Sequence, residues 1–284
     1  MKLELTKHHG LGNDFLVVFV TDEMALVDDL FERLPEVART ICDRRRGVGA
    51  DGLLIGLSEP GYAARMVLFN ADGSRAEMSG NGIRCFAQAL AGRLGNLDEQ
   101  LILTDAGPRL VRLTASEAAD TLDVSVDMGP VVPIEAPAGW DDIGCNPDRP
   151  VLHLSLGNPH SVVGVDAVAE IDLLTLGQRV PTTNLEIVEP GDDLSSIRMR
   201  VHERGAGITE ACGTGACASA WAAMRWGLVT ESAAEIVVHM DGGRARVRFD
   251  DPAPGHVTLI GPTVLVAHVV VDLQPAALGQ PRQS

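Results

Sequence analysis

Residues 65–85 read RMVLFNADGSRAEMSGNGIRC, and residues 198–217 read RMRVHERGAGITEACGTGAC. Both begin with Arg-Met at the head of an apolar run. Ser79 follows Met66 by 13 residues, and Cys212 follows Met199 by 13. Glu77 and Glu210 each stand two places earlier. Behind Ser79 and behind Cys212 comes Gly-x-Gly, then a small, apolar run with helical character. One unit is therefore written twice: strand, polar loop, nucleophilic side chain, glycine pair, buried helix. Cys212 lies 133 positions after Ser79 in a chain of 284. A repeat of about half the chain implies two similar domains, each offering one helix N-terminus with a reactive group beside it.

Outward from the repeat, short β-like runs alternate with turns. Residues 15–20, 65–69, 101–104, 123–128, 153–156, 197–201, 235–240, 246–249 and 264–271 are rich in Val, Leu, Ile and Phe. Several alternate at period two, as half-buried antiparallel strands do. ADG at 71–73 and DGG at 241–243 supply hairpin turns. Three segments read as helices, near 34–43, 80–93 and 213–227, the last two apolar on most sides and so central. Many strands and few helices give an α+β class, not a βαβ sheet. The Pro- and Gly-rich stretch 129–150 is the expected crossover.

Composition narrows the function classes. With 45% hydrophobic and 22% charged residues the chain reads as a globular protein. A net charge of −16 argues against a nucleic-acid surface. The start carries no secretory h-region, and no apolar run has membrane-spanning length. Five cysteines, Cys42, Cys85, Cys145, Cys212 and Cys217, without a signal peptide read as cytoplasmic thiols. Cys212 and Cys217 have no zinc-type spacing and H-E-x-x-H is absent, so no metal is expected.

The first N–H groups of a helix lack partners and carry the positive end of its dipole. Glycines let an anion approach them, and a thiol there has its thiolate favoured. A lone cysteine ahead of a helix is ordinarily a small buried hydrophobe. Two matched units change that reading. Two such ends facing one another would hold a carboxylate and set one side chain on each face of its α-carbon. That layout takes a proton from one face and returns one to the other, with no cofactor.

The motifs in series resemble the diaminopimelate epimerase family over almost the whole length. They are HGLGNDF at 9–15, DRRRGVGADGLL at 43–54, FNADGSRAEMSGNGIRCFA at 69–87, GNPHSVV at 157–163 and ERGAGITEACGTGACAS at 203–219. The resemblance implies two pseudo-symmetric domains, each a β-barrel-like sheet around a central helix, with the active site in the cleft between them. One domain would span 1–127 plus a returning strand within 264–284, the other 128–263. It implies cofactor-independent interconversion of LL- and meso-diaminopimelate, and a homodimer. Carried over by motif, Asn13, Asn70, Asn158, Asn184, Glu203 and Arg204 would line the substrate site, Asn and Arg suiting the distal amino-acid end. Gly80-Asn81 and Gly213-Thr214 would offer N–H groups to the reacting carboxylate. His160 and Glu203 would tune the acid–base groups.

The family uses two cysteines; Cys212 matches the second, and Ser79 stands where the first belongs. A thiol near pKa ~8.5 can become a thiolate at a helix end, whereas a serine hydroxyl cannot become an alkoxide that way. Cys85, six residues along the helix, faces away from Ser79. Three readings stand open: a variant that epimerises with Ser79 as proton donor, a substitution that silences or disables a diaminopimelate-binding protein, and a related one-base activity of the proline racemase-like kind. A Cys–His hydrolase built on Cys212 and His160 lacks a marked third group.

Overall fold

In the computed structural model, which describes residues 2–20, 30–144, 149–230 and 232–272, the apolar runs become strands and both Gly-x-Gly segments become helices. The chain divides into two units. As far as described, one holds residues 2–10, 14–124 and 263–272, the other 11–13 and 125–262. Of the expected crossover, residues 145–148 with Cys145 lie outside the described residues, as do 273–284 of the returning segment.

In the first unit β1 (Lys2–Gly10) pairs with β2 (Asn13–Phe19). Helix α1 (Leu30–Cys42) then carries the chain across, so β3 (Gly52–Leu57) lies parallel to β2. β4 (Ala64–Asn70) is antiparallel to β3 and turns back into β5 (Arg75–Ala76). Helix α2 (Gly80–Leu94) makes the next crossing. It places β6 (Gln100–Thr104) parallel to β4, and β7 (Gly107–Ala115) returns antiparallel. Strand β8 (Thr121–Pro130) contributes residues to both units, and β9 (Val132–Pro133) follows it.

The second unit repeats that series. β10 (Val151–Ser155) is antiparallel to β11 (Pro159–Gly164), and helix α3 (Leu173–Arg179) leads to β12 (Asn184–Pro190), parallel to β11. β13 (Ser196–Glu203) is antiparallel to β12 and turns into β14 (Gly207–Thr209). Helix α4 (Gly213–Arg225) crosses to β15 (Ile236–Met240), parallel to β13, and β16 (Gly243–Phe249) returns. The first half of β17 (His256–Asp272) pairs with β16; its second half pairs antiparallel with β1, Leu5 facing Val269. The class is α+β, as expected. The sheets are nonetheless mixed, because each helical crossing makes its flanking strands parallel.

The two repeat helices are small-residue-rich because sheet surrounds them. Gly80–Ala91 of α2 is buried throughout, and α4 is buried at all but one position from Gly213 to Ala223. A helix apolar on every side has no solvent face. Gly95 closes α2 in the left-handed region, its N–H bonding the Ala91 carbonyl. In the first unit α1 lays Leu34, Val37, Ala38 and Ile41 against Leu16, Leu53 and Phe69 on the sheet's other face. The region around α3 does the same in the second unit through Leu173, Val163 and Ile187. Asp14 at the head of β2 is tied to Lys7 at 2.9 Å and Arg44 at 2.7 Å. Burial pushes its carboxyl up, but the two cations outweigh that and hold it down at about 2. Among the described residues no helix is long and apolar enough to cross a membrane.

Candidate active site

Ser79 and Cys212 occupy the same place in their units. Each is the N-cap of its central helix, with extended backbone (φ −141°, ψ 124° and φ −124°, ψ 115°). The Gly82 N–H donates to Ser79 Oγ at 3.0 Å; the Gly215 N–H donates to Cys212 Sγ at 3.4 Å. A cap needs one acceptor for the N3 N–H, and oxygen or sulfur supplies it in the same geometry. The neighbouring first-turn residues, Gly80-Asn81 and Gly213-Thr214, sit where N–H groups lack helical partners.

Cys212 is 4% exposed. Its sulfur lies 3.5 Å from Thr214 Oγ1, and the Glu203 carboxylate stands close enough for its charge to act on the thiol. Glu203 accepts from the Thr209 hydroxyl at 2.5 Å. Burial first, then the carboxylates of Glu203 and Glu186, push the thiol well above its ordinary range; Thr214 and the Gly215 N–H pull the other way and lose. The expectation that the helix end favours a thiolate is thus corrected. In this buried pocket Cys212 rests as a thiol. Burial likewise raises Glu203, so it is a stronger base than an exposed carboxylate.

His160 is fully buried, and its closest carboxylate is Glu186, also fully buried, with Nδ1 2.7 Å from Oε1. Its Nε2 lies 3.0 Å from Asn158 Oδ1. Asn158 Nδ2 donates to Thr214 Oγ1 at 3.2 Å, and Thr214 reaches the sulfur. Both ring nitrogens are therefore engaged by Glu186 and Asn158, and the hydrogen bond from imidazole to thiol that a Cys–His hydrolase needs is not made. Glu186 did not emerge from the motifs. The signal was its place in NLEIVE: Asn184 and Glu186 alternate on one face of β12, and an acid there points inward among apolar neighbours. Gly215 allows it, since a Cβ at that position would lie 2.7 Å from Glu186 Oε1.

Asn158, His160, Asn184, Glu203, Arg204, Cys212, Gly213 and Thr214 all belong to the second unit, as does Asn13. Asn184 ties backbone: its Nδ2 donates to the Pro159 carbonyl at 3.0 Å and its Oδ1 accepts from the Arg204 N–H at 2.9 Å. Asn70, Ser79, Gly80 and Asn81 belong to the first unit. Asn70 Nδ2 donates to Ser74 Oγ across the β4–β5 turn, and buried Asn81 accepts from Arg84 at 2.6 Å. Cys85 points elsewhere. It is fully buried, accepts from Thr263 Oγ1 at 3.6 Å, and burial pushes its thiol up to about 11. No group of three His, Cys, Asp or Glu that could hold a metal occurs among the described residues.

Comparison with known proteins places these features in a family. The family model described as "Diaminopimelate epimerase" matches residues 5–134 and 153–266. A diaminopimelate epimerase of Synechococcus elongatus is 38% identical, with 94% of this chain and 97% of that protein covered. One from Thermosynechococcus vestitus is 40% identical, with 94% and 98% covered. Among solved structures, a Bacillus anthracis phenazine biosynthesis protein of the PhzF family has a TM-score of 0.70 at 16% identity, covering 96% of this chain and 100% of that one. A probable proline racemase from Agrobacterium radiobacter also reaches 0.70 at 16%, covering 98% and 96%. These distant likenesses concern the fold; the near relatives and the family match concern descent, and on them the chain belongs to the diaminopimelate epimerase family.

Proposed function

We propose that the chain interconverts LL- and meso-diaminopimelate without a cofactor, Cys212 acting on one face of the α-carbon and Ser79 on the other. The observation that carries this reading is the matched pair of N-caps on two buried helices, one a thiol wired to a raised carboxylate. Cys212 passes its proton to Glu203 and takes the α-proton. The resulting carbanion is held through its carboxylate by the first-turn N–H groups at Gly80-Asn81 and Gly213-Thr214. A proton from Ser79, or from a water it holds, is then delivered from the opposite face, and the proton left on Glu203 returns through solvent to restore Ser79. Asn13, Asn70, Asn158, Asn184, Glu203 and Arg204 are assigned to substrate binding, with Asn184 acting through the backbone it ties. The family likeness supports a homodimer in the cytoplasm; light scattering on the purified protein tests the dimer.

The hydroxyl at position 79 favours one second reading. With a single thiol, the protein exchanges the α-proton of one isomer and does not invert it. Incubation with each isomer in deuterium oxide separates the two. Deuterated product of inverted configuration supports the epimerase. Deuteration of a single isomer without inversion supports the one-base reading. Absence of exchange in both isomers, or exchange that survives Cys212→Ala, refutes the assignment of Cys212.

A further inference from the structure

Glu186 is a fully buried carboxylate that the proton transfer above does not use. One oxygen meets His160 Nδ1 at 2.7 Å; the other, Oε2, is buried with no hydrogen-bond partner among the described residues. A carboxylate taken out of water and left half satisfied is costly, and an apolar residue would fill the space at less cost. Glu186 is nonetheless accommodated at close range, under a helix position that lacks a Cβ. The groups that face the pair are Glu203 from β13 and Cys212 from α4.

We propose that Glu186 is a positioning residue: it fixes His160 with a proton on Nδ1 and turns Nε2 toward Asn158, at the head of a hydrogen-bonded string that ends on the Cys212 sulfur. An ionised carboxylate only accepts, so Nδ1 carries a proton. The carbonyl oxygen of Asn158 also only accepts, so Nε2 donates to it. The amide end of Asn158 then donates to Thr214, which leaves the Thr214 hydroxyl hydrogen for sulfur. The string runs one way, from ring to sulfur. A donor on sulfur stabilises the thiolate formed when Glu203 takes the proton. Without the Glu186 acceptor nothing fixes the proton on Nδ1, the Asn158 amide is free to turn over, and Thr214 then accepts from the thiol instead of donating to it.

This inference rests on the proton-transfer reading of Cys212, and its test has one arm that does not. In 15N-labelled protein, the wild-type His160 ring should show protons on both nitrogens. Glu186→Gln should show one, and Glu186→Asp should restore the second at least in part, with circular dichroism confirming that both variants fold. In the catalytic arm, Glu186→Gln should lower kcat for α-deuterium exchange by roughly 10- to 100-fold, as loss of a histidine-orienting partner does, with KM little changed and Glu186→Asp intermediate. A ring spectrum unaltered by Glu186→Gln, or a wild-type ring with Nε2 bare, overturns the proposal, as does exchange within twofold of wild type. If the wild type itself exchanges nothing, the Cys212 reading fails, and the ring spectra alone decide the placement of Glu186.

Discussion

Replacing Gly215 by alanine tests the buried carboxylate under α4. At an ordinary helical position the change would stabilise, because alanine exceeds glycine by about 1 kcal/mol in helix propensity. Gly92 of α2 is such a position: a Cβ there meets nothing within 4 Å. At Gly215 the new Cβ falls 2.7 Å from Glu186 Oε1 and 3.3 Å from Cys212 Sγ. Glu186 cannot swing freely, being held by His160 at 2.7 Å and fully buried. Overpacking of this kind costs about 1–3 kcal/mol. If relief stretches the carboxylate–imidazole bond, a charge-assisted bond of about 1.5–3 kcal/mol is weakened as well. With both costs incurred, and against a gain of about 1, the net is a loss of about 1.5–5 kcal/mol. Urea titration followed by tryptophan fluorescence is the assay, since Trp140, Trp221 and Trp226 all lie in the second unit and so report on it. Gly92→Ala, followed by circular dichroism, should gain up to about 1 kcal/mol. If Gly215→Ala matches or exceeds wild-type stability, Glu186 does not lie against the helix and the account of the His160 pair fails with it.

Ser79→Cys should raise turnover in both directions by about 100-fold or more, the scale of a well-placed acid–base group. It should also introduce peroxide sensitivity absent from the wild type, read as activity recoverable with dithiothreitol. Burial lowers His8 from 6.5 to about 4, so between those values the unfolded chain binds the extra proton. Stability therefore falls as pH drops through that window, by at most about 3 kcal/mol, and in His8→Gln unfolding midpoints should lose most of that slope. Asn184→Ala should cost about 1–3 kcal/mol of stability by stripping partners from the Pro159 carbonyl and the Arg204 N–H; unchanged stability with a raised KM would make Asn184 a direct substrate contact instead.

The repeat was legible because it rests on glycine spacing and on two helices with no polar face, and both signals survive in a single sequence. Helix α2 begins and ends within a residue of its expected span, and α4 stops two residues short of 227. Strand β3 was hidden in GLLIGL, where burial on both faces erases alternation. Helix α3 was hidden by its length of seven residues and by Gly177, which approaches His202 too closely for a Cβ. At the site, Asn158, His160 and Glu203 were readable as motif residues. Their pairings were not: Glu186 meets His160 through the parallel register of β11 and β12, and Thr209 meets Glu203 across the β13–β14 hairpin, and a motif does not state who faces whom. The resting state of Cys212 was misjudged for the same reason. A helix end and Glu203 are visible in sequence, but the depth of burial of the thiol and the nearby Glu186 carboxylate are not.

The repeat also shows why the serine matters less as a cap than as a reagent. Moved back by the 133-residue offset, Thr214 falls on Asn81, Gly215 on Gly82, and the capping bond is preserved with oxygen for sulfur. The proton-handling groups are not preserved. Glu203 falls on Asn70, Thr209 on Ala76 and Glu186 on Leu53, itself 1% exposed. The first unit therefore keeps the helix-end N–H groups and has no base at these three places to activate its capping group. The division of labour follows from that difference. On the proposed mechanism Cys212 exchanges the proton on its face, with a carboxylate to receive the thiol proton, and position 79 is the weaker partner. Epimerisation begun by Cys212 can finish if Ser79 or a water reprotonates the far face. Donation by Ser79 and abstraction by it pass through the same alkoxide, so inversion is slow in both senses, whereas exchange without inversion needs Cys212 alone. Isotope exchange should accordingly be strongly unequal for the two isomers. Equal exchange into both would mean that a base other than Cys212 serves the second face.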